Sequence, residues 1–475
     1  MIAAYLPAFA TSIAAIIAQL VIASGFAQNM VHLAQLLLAG RALLKQPPES
    51  DSGSFWSRYS KAAPPIALLA PAYNEALTIV ESVRSLLSIR YPDFEIIVIN
   101  DGSKDQTLEI MIEAFSLEPA LVRDFDLITS HRPIRNLYVS SVHPRLLVVD
   151  KENGGKSDAL NAGLNLATAP IVCSMDADSL LEPDSLLRAV QPFLEDPERV
   201  IAVGGTVRVA NGCTIADGRI VKIGAPGNLL ALMQTVEYLR AFLMARLAWS
   251  EIGALTIISG AFGLFRRSAV LDVGGYTHGT VGEDMELVVK LHRHYRDTGR
   301  RYKIAFVPEP VCWTEVPESL EMLARQRARW HRGALETFDR HRGMAFNPRY
   351  GMVGFVGFGS IILVDVLGPL METIGYVLIP LWWALGILSV QYLLAFVAVT
   401  FAFGIALSVG ALALEESGLR RFPRARDLIL LTGAAILENL GYRQLNQLWR
   451  LRGTVDWMKG AQSWGEMTRK GFKSA

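Results

Sequence analysis

The chain has 475 residues, 46 of them basic and 45 acidic, for a net charge of +1. It is 51% hydrophobic and 19% charged, below the roughly 25% charged residues of soluble domains. These figures exclude a disordered chain, a single small soluble domain and an all-membrane protein, and they supply no overall field for a nucleic-acid partner.

Residues 1–40 carry no Asp, Glu, Lys or Arg, and residues 8–24 are almost wholly apolar. About 20 such residues span a bilayer. No basic stretch precedes them, as it would in a cleaved signal peptide. The pattern predicts one uncleaved membrane helix over 1–45. Arg41 and Lys45 at its end place the following chain in the cytoplasm. Residues 46–63 are polar and turn-rich and read as a linker. Residues 64–345 read as one water-facing unit. Apolar runs at 65–70, 95–99, 145–149 and 171–175 predict strands. Segments 76–89, 105–115, 157–167 and 183–193 predict helices, and a further helix is expected over 317–337. This alternation predicts a mainly parallel sheet with helices on both faces.

The apolar character returns over 346–449, read as transmembrane and interface helices. Residues 352–370 form one stretch interrupted by Asp365. Residues 373–414 are long enough for two spans, and 427–449 is a weaker candidate carrying Glu438 and Arg443. Arg420, Arg421, Arg424 and Arg426 make the preceding loop cytoplasmic, so an even number of crossings separates it from residue 350. Two crossings by 373–414 satisfy this, with 352–370 interfacial or re-entrant. The tail 450–475 is also basic, with Arg450, Arg452, Lys459, Arg469, Lys470 and Lys473. That conflicts with one crossing at 427–449, so either this segment lies in the interface or the charge rule fails once.

Ligands of an open α/β sheet bind beyond the carboxyl ends of its strands. Four strands here end in polar clusters: PAYNEA (71–76), INDGSKD (99–105), NGGKSDALNAGL (153–164) and MDADS (175–179). One such cluster alone would be a turn or a helix cap; four at one edge point to a binding site. Gly155-Lys156-Ser157 looks like the end of a P-loop, but the glycine required five residues earlier is Asp150. Lys156 can still offer a cation from a helix start. Asp176 and Asp178, two residues apart in an extended segment, face one side and suit a hard cation such as Mg²⁺ or Mn²⁺. Glu283 and Asp284 also fit the acidic first turn of a helix. The three cysteines form no CxxC pair and the eight histidines show no metal spacing.

Together with Ser259-Gly260-Ala261-Phe262, Gly282-Glu283-Asp284 and Gln326-Arg327-Ala328-Arg329-Trp330, these segments resemble glycosyltransferase family 2. The last matches the QxxRW motif of its membrane-embedded processive branch, which makes poly-N-acetylglucosamine, hyaluronan, chitin oligomers and cellulose. The resemblance implies an α/β GT-A (Rossmann-like) nucleotide-sugar domain with transmembrane helices at both ends. It implies that Ala72, Tyr73, Glu75 and Asp101 hold the base and ribose, and that Lys156 and Asp176 contact the nucleotide or its phosphates. Asp178, with Asp176, would bind Mg²⁺ or Mn²⁺. Glu283 and Asp284 would be the catalytic carboxylates, Asp284 the general base. Gln326, Arg329 and Trp330 would hold the diphosphate and the acceptor sugar, and Ser259, Gly260 and Asp284 would line the acceptor side. Two departures stand out. The usual Thr before Glu283-Asp284 is Gly282. No cellulose-synthase gating-loop signature follows Trp330, so cellulose is a poor guess for the product.

The expected activity is an inverting, metal-dependent, processive transfer from a nucleotide sugar, UDP-linked by the resemblance, with the polysaccharide extruded through the protein's own helices. A single addition to a membrane lipid acceptor is the alternative, and a transporter or receptor retaining an inactive transferase domain is a third. The expected partners are the nucleotide sugar, the growing polysaccharide or lipid acceptor, membrane lipids and an export subunit, with no nucleic acid. The expected location is the inner membrane, multi-pass, with the catalytic domain cytoplasmic.

Overall fold

The computed structural model describes residues 2–45, 56–57, 59–121, 129–216, 218–418 and 424–460. Most of the expected linker, Arg420 and Arg421, and the tail beyond residue 460 lie outside the described residues. Helix α1 runs unbroken over Ile2–Lys45. Forty residues without a charged side chain leave each backbone group to be satisfied inside the helix itself.

The charged unit is built on a ten-stranded sheet ordered β3-β4-β5-β2-β1-β6-β11-β8-β12-β7. Its parallel centre is β5 (Leu146–Lys151), β2 (Phe94–Asn100), β1 (Ile66–Ala72) and β6 (Ile171–Ser174). These strands are almost wholly buried, as continuous apolar runs covered on both faces should be. Helices α2 (Ile79–Leu87), α3 (Thr107–Phe115), α4 (Lys156–Leu166) and α5 (Ser185–Glu195) fall where the sequence pattern put them.

The sheet is mixed rather than mainly parallel. Strands β3 (Leu117–Ala120) and β4 (Ile134–Ser140) add an antiparallel edge beside β5. On the other side β11 (Gly263–Arg266) is antiparallel to both β6 and β8 (Val200–Val209), and β12 (Lys303–Thr314) pairs parallel with β8. β7 (Leu180–Leu181) pairs antiparallel with β12. Strand β8 carries Gly204 and Gly205, and β12 carries prolines, so neither shows a clean strand pattern. The glycines have a packing reason. A Cβ at Gly205 would lie 2.4 Å from Val311, and one at Gly204 would lie 2.9 Å from Phe306. A separate hairpin, β9 (Thr214–Ala216) with β10 (Arg219–Lys222), stands apart.

Helix α6 starts at Leu229, capped by the Asn228 side chain, which accepts from the N–H groups of Leu230 and Ala231. It passes through a π-helical stretch, Leu239–Arg246, and ends at Glu251. Short α7 (Arg267–Asp272) leads to α8 (Glu283–Asp297), and α9 covers Leu320–His341.

Among the described residues, three helices are long and apolar enough to cross a membrane: α1 over Thr11–Lys45, α10 (Val353–Ala384) and α11 (Val390–Ser417). This shifts the expected break. Residues 352–370 do not form a separate interfacial segment; they begin α10, and the chain turns at 385–389. Asp365 does not interrupt the helix because Arg450 neutralises it at 2.6 Å. The segment 427–449 is divided between α12 (Ala425–Leu437) and α13 (Arg443–Met458), with non-helical backbone at Leu440 and Gly441. Glu438 meets Ser408 of α11, and Leu428 and Leu431 pack in one cluster with Val409 and Leu412, so α12 runs against α11. Arg443 pairs with Glu372 and Arg450 with Asp365, so α13 runs against α10. The two helices make an inward-pointing V. Small residues bring the helices close: a Cβ at Gly375 would lie 2.6 Å from both Val21 and Phe396.

Candidate active site at the strand ends

The loop after β1 is stitched to the loop after β2. Asn74 takes the left-handed conformation that Asn tolerates, and its side chain accepts from the Lys104 N–H at 2.8 Å. The Asn74 N–H donates to Ser103 and the Glu75 N–H to Thr107. Glu75 accepts from the Thr78 hydroxyl at 2.8 Å. Ala72 is buried, while the Tyr73 ring is 44% exposed at the sheet edge.

Asp101 is buried and its carboxylate is engaged within the protein. It accepts from Lys151 Nζ at 2.6 Å and from the N–H groups of Gly154 and Gly155 at 3.0 and 2.7 Å. Lys151 is wholly buried and also reaches Asp158 at 2.5 Å. Sequence reading passed over this lysine. Its only signal is a cation closing a buried strand between two acids. The pair holds the 153–156 loop and with it the first residue of α4, Lys156.

Lys156 joins three segments. Its Nζ lies 2.6 Å from Asp176, after β6, and 2.9 Å from Glu283, at the start of α8. Burial disfavours this ammonium, but Asp176, Glu283 and Asp284 outweigh it and hold the lysine charged above its ordinary range. Burial pushes the Glu283 carboxyl up, Lys156 pulls it down, and Asp284 pushes it up again. Gly260 sits against this cluster: a Cβ there would lie 2.6 Å from Lys156 Nζ and 3.6 Å from Asp284 Oδ2. The Gly260 N–H donates to Asp284 Oδ2 at 3.0 Å, and Asp284 Oδ1 accepts from the Met285 N–H. Ser259 accepts from the Ala261 N–H at 3.3 Å. Lys156, Asp176, Gly260, Glu283 and Asp284 therefore meet in one place.

Asp178 is buried two residues beyond Asp176. The Cys312 thiol, pushed well up by burial, is pushed further by both aspartates. Among the described residues, no three His, Cys, Asp or Glu side chains form a ready cation cage. The donor set still fits Mg²⁺ or Mn²⁺, which take one or two carboxylates and complete their shell from phosphates.

The α9 residues arrive by a glycine contact. A Cβ on Gly333 would lie 2.9 Å from the Gly282 Cα, and one on Gly282 would lie 3.0 Å from the Gly333 Cα. The missing Thr thus has a steric reason: only glycine lets α8 begin against α9. Gly333 stands about one turn past Arg329 and Trp330. A glycine inside a helix was its sequence signal. Gln326 is buried and accepts from Arg327, which pairs with Glu237 at 2.7 Å. Trp330 is 44% exposed, with the Arg327 guanidinium 4.3 Å from its ring centre. The sequence reading also passed over Arg246. It stacks on Phe242 at 3.7 Å, and burial pulls it down to about 10 while Asp284 and Tyr238 pull it up.

The chain is 32% identical over 275 residues to a poly-beta-1,6-N-acetyl-D-glucosamine synthase of Staphylococcus epidermidis, 58% of this chain and 56% of that protein. The same enzyme of Staphylococcus aureus (strain COL) gives 32% over 276 residues, with the same coverage. The chain thus spans about half the length of the curated relatives it matches. Among solved structures, a mannosyltransferase from Pyrobaculum calidifontis in complex with GDP-Man and Mn²⁺ has the same fold, with a TM-score of 0.51. It is 21% identical and covers 92% of this chain and 99% of its own. Residues 171–408, from β6 into α11, match the model of glycosyl transferase family group 2, and the chain belongs to that family.

Proposed function

We propose that the protein is an inverting, processive membrane glycosyltransferase that builds a polysaccharide from a UDP-linked sugar and passes it outward between its own helices. The observation that carries this reading is the meeting of Asp284, Lys156 and Asp176 at strand ends in a chain with three membrane-length helices. Asp284, oriented by the Gly260 N–H, takes the proton from the acceptor hydroxyl. Lys156, and Arg329 by the resemblance, would meet the charge that develops on the departing nucleoside diphosphate. Asp176 and Asp178 would hold a divalent cation, which when bound neutralises the diphosphate as a Lewis acid. Tyr73 and Glu75 border the nucleotide, and Asp101 acts by fixing the 153–156 loop. The exposed Trp330 offers a flat apolar face to the acceptor sugar.

The relatives' name makes UDP-N-acetylglucosamine the first donor to test. The placement we propose is a multi-pass protein of the inner membrane with its catalytic unit cytoplasmic. Three crossings leave Lys45, Tyr350 and Arg424 on one side, and the inward V returns Arg450 and Arg452 to that side, as the charge rule requires. Incubating the purified full chain with single UDP-sugars and Mn²⁺ or Mg²⁺ tests the activity. The reading expects ladders of sugar oligomers. One sugar per acceptor would instead support transfer to a membrane lipid.

A further inference from the structure

A cavity of about 380 Å³ lies between the first turns of α9 and the middle of α13. Arg325 and Arg452 line one part of it, and Leu320, Leu445 and Trp449 another. Leu320 and Leu445 are exposed, and Arg452 is an exposed cation with no ion pair among the described residues. Arg325 holds Glu321 at 2.6 Å, which cancels one charge of the lining and leaves the cavity net cationic through Arg452. A guanidinium has five donors, so Arg325 can hold Glu321 and a second acceptor together.

The neighbouring ion pairs set the level of this cavity. Helix α10 has 32 residues, about 48 Å of helix against an apolar core of about 30 Å. Counted back from Ala384, that core ends about 20 residues away, near Asp365. Arg450 pairs with Asp365, and Arg443 pairs with Glu372 on the apolar side. Arg452 therefore stands at headgroup level, and Leu445, five residues before Arg450, stands about 7 Å inside the apolar core among the acyl chains. Trp449 sits between, where an amphipathic ring is favoured.

We propose that this cavity binds one anionic phospholipid, its phosphate on Arg452 and Arg325 and an acyl chain along Leu320, Leu445 and Trp449. A cationic end at headgroup level joined to an apolar wall below it matches that shape and charge. The site rests on the membrane placement proposed above, not on the sugar chemistry.

The test is native mass spectrometry of the full chain in neutral detergent, titrated with phosphatidylglycerol, phosphatidylcholine or inorganic phosphate. The expected result is one phosphatidylglycerol bound in preference to phosphatidylcholine. Its affinity should fall about fivefold for each of Arg325→Gln and Arg452→Gln, in variants with unchanged melting temperature, from roughly 1 kcal/mol per arginine. Equal retention of both lipids, or variants that bind like the parent, would overturn the proposal. So would inorganic phosphate displacing phosphatidylglycerol at low concentration, or a co-purifying protein filling the cavity. Extraction of the chain without detergent would instead refute the membrane placement, and intact UDP-sugar turnover in the variants would leave the transferase reading standing.

Discussion

Replacing Asp284 by Asn keeps the side chain's shape and its contact with the Gly260 N–H while removing the base. We expect kcat to fall by about 10³-fold, with the nucleotide still bound. Single-turnover assays beside UDP titrations check this; a small loss would move the base elsewhere. Glu283 provides a pH test. Burial and Asp284 push its carboxyl up against the pull of Lys156, so it gains its proton above the ordinary carboxylate range. A carboxyl raised in the folded state contributes stability that is present at low pH and lost as pH rises through its folded value. Acid loss of activity through this group therefore precedes acid unfolding. Activity should decline while the fold is intact, and Glu283→Gln should move that limb, measured by kcat/KM against pH beside circular dichroism. At this scale the meeting of Lys156 with Asp176 was legible because both stand in polar clusters closing apolar runs, whereas Glu283 and Asp284 were reached through the family resemblance. Lys151 was not, because one lysine in a run does not reveal that two distant acids close on it.

Helix α9 is fixed on both faces by glycine. Gly333 meets Gly282, and a Cβ on Gly453 of α13 would lie 2.5 Å from the Ala328 carbonyl oxygen. Gly333→Val should push α8 from α9 and lower kcat by tenfold or more, because catalytic geometry fails at displacements of about 1 Å. Sugar assays on a variant that still melts cooperatively check it; unchanged kcat would show that the contact sets no distance in the site. Between helices, Glu372 binds Arg443 at 3.1 Å and Gln447 at 3.0 Å. Glu372→Leu leaves the half-buried Arg443 without its carboxylate and should cost about 3 kcal/mol, while adding Arg443→Leu should restore much of it. Thermal unfolding in detergent reads both. The parallel centre of the sheet was legible from its buried runs. The mixed half was hidden because Gly204, Gly205 and the prolines of β12 break the pattern for reasons that lie across the sheet. Asp365 misled the membrane reading in the same way: its partner Arg450 is 85 residues away.

In the whole molecule, the charged unit is joined to the membrane helices by ion pairs: Arg208 with Glu415, and Arg240 with Glu438 at 2.5 Å. The near-zero net charge conceals this arrangement of basic and acidic partners across the boundary. Chelation should abolish sugar transfer, and Mn²⁺ or Mg²⁺ should restore it, if Asp176 and Asp178 hold the cation; turnover unaffected by chelator would remove the metal from the mechanism. Under the proposed function one protein both joins the sugars and keeps hold of the growing chain. The most direct test is the length distribution of product made by the purified full chain from a labelled UDP-sugar, with acceptor in large excess over enzyme. Long chains on few acceptors are expected from the earliest time points. Products one sugar longer, spread over all acceptors, would contradict it.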